Sequence, residues 1–270
     1  MPELPEVETV RAGLASLLLG RRIRSLIVLR PMLRFAIPSA ITKLVGEQIT
    51  QIDRRAKYLL IHTTGASVLS HLGMTGTWQR ADDKREQHTH DHLRLSAEDG
   101  TTLVYNDPRK FGFIELFDRE KGAPRLAELG PEPLDQAAFT ADYLAAALHK
   151  RNAPIKSLLM DQAIVVGVGN IYAAEALFRS GIHPKRKAAS VSKARLETLV
   201  KTVREVLEEA IEAGGSTIDD FRKINGQSGY FQHTFSVYAR EGQPCLVCKR
   251  TLKLAKIGGR SSVYCPQCQK

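Results

Sequence analysis

The stretch Leu129-Gly130-Pro131-Glu132-Pro133 divides this chain of 270 residues, because the strand pattern stops there and helical patterns take over. Working back from it, residues 23–117 read as short strands. The candidates are Ile23–Leu29, Gln48–Thr63, Ser67–Gln79, His92–Ser96, Thr102–Asn106 and Phe111–Phe117, with turn signals at Thr64-Gly65 and Asp99-Gly100. Adjacent strands joined by short turns predict an antiparallel sandwich or flattened barrel. Ahead of them, Val7, Val10, Leu14 and Leu17 form one stripe of an amphipathic helix closed by Gly20. Working forward, helical patterns run over Thr140–Lys150, Ile155–Gln162, Ile171–Ser180 and Lys193–Ala213, without repeats or low-complexity tracts. The expected fold class is α+β.

Apolar residues make up 43% of the chain and charged residues 25%, which argues against disorder, collagen and a disulfide scaffold. The longest apolar stretches, Ala12–Leu19 and Ala163–Val168, fall far short of the roughly 18 residues of a membrane span. The opening residues carry two acids and two prolines where a signal peptide has basic and then apolar residues. The expectation is a soluble, cytoplasmic protein. Lys plus Arg is 39 against 29 Asp plus Glu, a net charge of +10. Residues Phe221–Lys270 hold +8 of it, from nine basic residues and the single acid Glu241. Such a tail suits a polyanion, since neutralising phosphates releases condensed counterions. A solvated basic surface without a partner has the same composition.

The four cysteines, Cys245, Cys248, Cys265 and Cys268, are spaced C-x2-C-x16-C-x2-C. Two knuckles of this kind deliver four thiolates tetrahedrally to one structural Zn²⁺. Two disulfides are the other reading, which a cytosolic setting disfavours. Between the knuckles Lys249–Tyr264 holds five basic residues and no acid, and Thr251–Ile257 alternates before the turn Gly258-Gly259. The reading is a zinc-pinned β-hairpin with Arg260 near its tip, either a nucleic-acid finger or a purely structural ribbon.

Asn152-Ala-Pro154 and Gly167-Val-Gly-Asn170 lead into helices, which makes Lys156 and Asn170 candidate phosphate contacts; short interhelical turns look much the same. At the other end, removal of Met1 leaves Pro2 with a free secondary amine, which can attack an electrophilic carbon and form an iminium. Glu3 and Glu6 share a helix face beside that amine, a placement the helix dipole also favours without any chemistry.

Several blocks together resemble the bacterial formamidopyrimidine-DNA glycosylase family. They are Pro2-Glu-Leu-Pro-Glu-Val-Glu-Thr-Val10, Ala56-Lys57-Tyr58-Leu59, His71-Leu72-Gly73-Met74-Thr75-Gly76, Asn106-Asp107-Pro108-Arg109-Lys110-Phe111-Gly112, Gly167-Val-Gly-Asn-Ile-Tyr172 and Tyr264-Cys-Pro-Gln-Cys-Gln269. The blocks follow the family order along nearly the whole chain. The resemblance implies an N-terminal helix with a two-layered antiparallel β-sandwich, then a helix–two-turns–helix domain ending in a zinc-bound hairpin. The expected boundaries are 1–128 for the catalytic domain, 129–138 for a hinge, 139–235 for the helical domain with a lid at about 216–229, and 236–270 for the finger.

The resemblance further implies a bifunctional DNA glycosylase and AP lyase of base-excision repair, acting on 8-oxoguanine and formamidopyrimidines in damaged double-stranded DNA. Pro2 is then the nucleophile at C1′ and Glu3 the general acid at the sugar, with Glu6 in support. Lys57 serves β-elimination and Arg260 δ-elimination. Met74, Arg109 and Phe111 match gap-filling positions, and His90, Arg151, Lys156 and Asn170 match backbone-binding positions. A monomer is expected, associated with the nucleoid through DNA, without a nucleotide cofactor or membrane partner. Three alternatives stand beside this reading. A metal-dependent nuclease would use His88, His90, Asp91 and His92, although a polar strand edge accounts for them as well. Endonuclease VIII-like enzymes use the same proline chemistry on oxidised pyrimidines but usually carry glycine where this chain has Leu4. A non-enzymatic zinc-dependent DNA-binding protein would need no free N-terminus.

Overall fold

Pro5 sits in the first turn of helix α1, Leu4–Leu18, where a missing N–H costs nothing. The helix buries Leu4, Val7, Val10, Leu14 and Leu18, so its stripe ends on Leu18 and the expected Leu17 only flanks the core. Gly20, at φ 78°, turns the chain out of the helix. The computed structural model describes residues 1–82, 86–216, 224, 227 and 229–270. These form two compact units, Met1–Ala127 with Ala213–Tyr230, and Glu128–Glu212 with Phe231–Lys270.

In the first unit eight strands form two antiparallel four-stranded sheets. Strands β1 (Ile23–Val28), β6 (Asp91–Ala97), β7 (Thr102–Asn106) and β5 (Thr77–Ala81) lie side by side in that order. The second sheet runs β2 (Ile49–Arg55), β3 (Tyr58–Thr63), β4 (Ser67–His71) and β8 (Phe113–Phe117). The core holds residues from α1 and both sheets, among them Val10, Leu14, Ile52, Leu59, Trp78 and Leu103, and Ile224 joins it from far along the chain. Two expected strands divide. Gln48–Thr63 is a hairpin turned at Ala56-Lys57, with Arg55 paired to Tyr58. Ser67–Gln79 supplies β4 to one sheet and β5 to the other, because Gly73 takes a left-handed φ of 61° and the chain leaves the sheet.

The second unit begins with the proline-rich stretch strapped to its helices. Gly130 N–H donates to the Gln162 carbonyl (2.8 Å), Val166 N–H to Pro131 (3.1 Å), and Arg204 Nε to Pro133 (3.2 Å). Helix α2, Ala141–Leu148, is capped by Thr140, whose hydroxyl accepts the Tyr143 N–H. Helix α3 is only Ile155–Leu159; α4 is Asn170–Arg179, and α5 is Lys193–Glu212. The last strands, β9 (Lys253–Ile257) and β10 (Arg260–Tyr264), form the expected hairpin, with Gly258 and Gly259 both at positive φ in the turn. The expected lid at 216–229 lies mostly outside the described residues.

Trp78 is the chain's only tryptophan, and it is buried in the β unit, so its fluorescence follows that unit's unfolding. Leu14→Ala empties a fully buried site between α1 and the strands. The change is expected to destabilise the β unit by about 2–5 kcal/mol, read as a lower urea midpoint of the Trp78 signal.

Candidate functional site

Glu3 is the N-cap of α1 and forms a reciprocal capping box with Glu6. Its own N–H donates to Glu6 Oε2 at 2.9 Å. The other Glu6 oxygen accepts the N–H and the hydroxyl of Ser216, at 2.8 and 2.9 Å. Both carboxyls are about 2% exposed, and Pro2 beside them is buried, whereas Met1 is exposed. A Cβ on Gly215, which has φ 78°, would lie 3.2 Å from the Glu6 side chain, so Ser216 approaches Glu6 along bare backbone.

Lys57 occupies the β2–β3 turn and is buried. The turn depends on Ala56, a non-glycine residue at φ 55°. Arg54 braces it: Nη1 donates to the Ala56 carbonyl (3.0 Å) and Nε pairs with Glu8 of α1 (3.0 Å). One guanidinium thus ties the lysine's turn to α1, the helix that follows Pro2. Near Lys57, the His71 ring stacks on Phe113, centroids 5.2 Å apart, and its Nδ1 accepts the Gly73 N–H at 3.0 Å. Burial, then the positive charges of Lys57, Arg34 and Arg125, lower His71 to about 4.

Of the expected DNA contacts in this unit, His90, Arg109 and Phe111 are exposed and Met74 is half-buried. Arg109 lies over the Phe111 ring at 4.9 Å. The histidine cluster does not assemble as metal ligands. His92 is fully buried between the carbonyls of Arg30 and Asp107, while Asp91 accepts from the His88 N–H and Asn106. Among the described residues, the one metal-capable group is the four cysteines.

In the second unit Lys156, expected as a phosphate contact, is 1% exposed. Its ammonium donates to Asn170 Oδ1 (2.8 Å) and Ser262 Oγ (2.7 Å), so it joins the start of α4 to the finger. Asn170 is half-buried, and Arg151 and Arg260 are exposed. The four cysteine sulfurs lie within 4.8 Å of one another, Cys245 to Cys268 at 3.9 Å and Cys248 to Cys265 at 3.4 Å. A tetrahedron of Zn–S bonds has sulfurs about 3.8 Å apart. The cysteines are unbridged, and the set fits one structural zinc. Gln269 buttresses the second knuckle, accepting the Cys265 N–H and donating to Ile182.

The sequence matches three family models: the formamidopyrimidine-DNA glycosylase N-terminal domain over residues 1–114, that family's H2TH domain over 129–222, and the zinc finger found in FPG and IleRS over 242–270. The chain belongs to the formamidopyrimidine-DNA glycosylase family. Glycosylases of this family from Stenotrophomonas maltophilia and Xanthomonas oryzae are 48% and 49% identical to it, with all of both chains covered. A Lactococcus lactis FPG mutant in complex with Fapy-dG containing DNA superposes with TM-score 0.93 at 33% identity over the whole of both chains. MutM in complex with carbocyclic 8-oxo-G containing DNA gives 0.91 at 34%, again over both whole chains.

For a glycosylase of this family, several supporting residues escaped the sequence reading. Glu175, fully buried in α4, accepts the N–H groups of Ser236, Val237 and Tyr238 at 2.8–3.0 Å. An acid within the apolar run Tyr172–Phe178 was a legible signal. Arg54, Glu8 and Ser216 gave none, because their partners are set by pairing of distant segments.

Removing the metal by Cys265→Ser or chelation is expected to release one zinc per chain and dissolve the β9–β10 hairpin, since zinc affinity is folding energy in so short an element. Metal analysis and amide exchange report this, with the Trp78 signal unchanged. The depressed His71 makes a second prediction. An unfolded histidine takes its proton near pH 6.5 and the native one only near 4. The β unit therefore loses stability as pH falls through that window, by at most about 1.4 kcal/mol per pH unit, and this contribution is flat above it. His71→Asn should flatten the dependence in urea titrations between pH 7 and 5.

Proposed function

We infer that this chain is a DNA glycosylase and AP lyase of base-excision repair that excises oxidised purines from double-stranded DNA through a Schiff base on its N-terminal proline. Membership of the family over the full chain supports the glycosylase and lyase activities. The observation that carries the site assignment is the start of α1, where Pro2, just ahead of the N-cap, is buried beside two acids whose positions are held by hydrogen bonds.

Once Met1 is removed, the Pro2 nitrogen attacks C1′ of the flipped nucleotide, and the C1′–N bond breaks with its electrons leaving on the base. Glu3 donates a proton to the ring oxygen as the sugar opens, and loss of the nitrogen's remaining proton leaves the iminium. The iminium makes the C2′ proton acidic; its removal expels the 3′ phosphate, and a second elimination expels the 5′ phosphate. Lys57 serves the first elimination and Arg260 the second, each stabilising charge on a departing phosphate. Glu6 holds Glu3 in place. Met74, Arg109 and Phe111 fill the gap left by the flipped base, which offsets part of the unstacking cost. His90, Arg151 and Asn170 bind the DNA backbone, with Lys156 supporting Asn170 from behind. The enzyme acts as a monomer without a nucleotide cofactor, in the cytoplasm and on the nucleoid. No helix of the described residues is long and apolar enough to cross a membrane.

The test compares protein with Met1 removed and protein with a blocked N-terminus, each verified by mass spectrometry, on an 8-oxoguanine duplex with borohydride. A blocked Pro2 nitrogen is a tertiary amide with no available lone pair. Blocked protein should bind the duplex yet neither cleave nor trap it. Equal trapping by both forms would move the nucleophile to another amine, Lys57 first. A Lactococcus lactis relative has been solved with DNA containing an oxidised pyrimidine, so that lesion belongs in the same assay.

A further inference from the structure

Asp107 is fully buried, and each of its polar groups is engaged by a neighbouring segment. Its N–H donates to the carbonyl of His90 at 3.0 Å. Oδ1 accepts the Thr75 hydroxyl at 2.6 Å, and Oδ2 accepts the Gly112 N–H at 2.8 Å. Its carbonyl faces His92 Nε2 at 3.1 Å and accepts the Lys110 N–H at 3.3 Å. The Thr75 hydroxyl accepts in turn the N–H of Arg109, at 3.2 Å. One residue therefore joins the loop carrying Met74, the turn carrying His90, and the loop carrying Arg109 and Phe111.

These loops meet backbone on backbone. A Cβ on Gly73 would lie 2.3 Å from the Gly112 nitrogen and 2.4 Å from the Phe111 carbonyl carbon. A Cβ on Gly112 would lie 1.9 Å from the Tyr105 hydroxyl, which itself donates to the His71 carbonyl at 2.9 Å. Besides the Tyr105 hydroxyl, which also approaches Gly76, the loops meet through backbone, so hydrogen bonds set their relative position, and the Asp107 carboxylate accepts from both.

We propose that Asp107 is a positioning residue that locks Met74, His90, Arg109 and Phe111 into one preassembled DNA-facing block, with the Thr75 hydroxyl as the relay to Arg109. The proposal rests on the reading of Met74, Arg109 and Phe111 as gap-filling side chains. Its physical basis is preorganisation. Side chains that must be ordered while entering the stack lose interaction energy to their own immobilisation, at the step where unstacking must be offset. Asp107→Asn keeps the shape but turns one acceptor into a donor facing a hydroxyl or an amide. Thr75→Val removes the relay at constant volume, and Thr75→Ser retains it.

The experiment measures excision from a duplex with 8-oxoguanine opposite cytosine, and borohydride trapping on a single-stranded oligonucleotide carrying an abasic site, which has no stack to open. Asp107→Asn and Thr75→Val should each lower duplex excision by about tenfold or more, the effect of disrupting a buried hydrogen bond. Single-strand trapping should stay at the wild-type level, and Thr75→Ser should recover duplex excision. Parallel loss on both substrates would mark a general structural defect and overturn the proposal. Wild-type excision by both variants, with Met74→Ala and Phe111→Ala impaired, would overturn the Asp107 assignment alone. Full duplex excision by Met74→Ala and Phe111→Ala would overturn the gap-filling reading and the proposal with it.

Discussion

A buried carboxylate without partners costs several kcal/mol, and the first turn of this chain carries two. Glu3 and Glu6 meet that cost by bonding across the helix start, where orphan N–H groups and the helix dipole both favour negative charge. The same bonds immobilise the chain next to Pro2. Ser216 completes the arrangement from a segment 210 residues away, so the start of the chain is fixed by tertiary contact as much as by its own helix. Arg54 extends it to the turn holding Lys57 through Glu8 and the Ala56 carbonyl. Pro2, Glu3 and Lys57 therefore share one mount, in which the start of the chain and a hairpin turn with a left-handed residue are both braced by charged hydrogen bonds.

The second unit handles its buried polar groups in the same way. Lys156 is an ammonium with almost no exposure, and its partners come from α4 and the finger. Glu175 gathers three backbone N–H groups from the segment leading into the finger. Gln269 ties the second zinc knuckle to Ile182. A hairpin of two five-residue strands has too little apolar area to fold alone, so its position depends on the metal and on these bonds. Val263, Leu252, Cys245 and Cys265 add a small shared core with Ala174 and Phe178 of α4. Arg260 is thus an exposed side chain on a rigid support.

The local signals in the sequence were sufficient for much of this. Hydrophobic periodicity located α1 and α5, paired glycines marked the finger turn, and the spacing of four cysteines specified a tetrahedral thiolate site. The charged opening, the basic tail and the six sequence blocks identified the family and its chemistry. These features were legible because each depends on dihedral preference, side-chain spacing or composition within a few residues.

Other features were settled only when distant segments met. Ser67–Gln79 reads as one strand, yet Gly73 turns it between two sheets. Lys156 reads as a surface cation at a helix start, yet neighbouring elements cover it and supply its partners. Asp107 is one residue of a sequence block, yet its buried carboxylate bonds residues 5 and 32 positions away. Ile224 enters the core of a unit whose strands end more than a hundred residues earlier. A residue's own chemistry determines what it can bond, but burial and partner identity depend on which segments the fold brings together. The sequence alone therefore determined most of the helices, the finger hairpin, the zinc ligands and the family, and tertiary structure decided where strands divide, which charges are covered and which loops are joined.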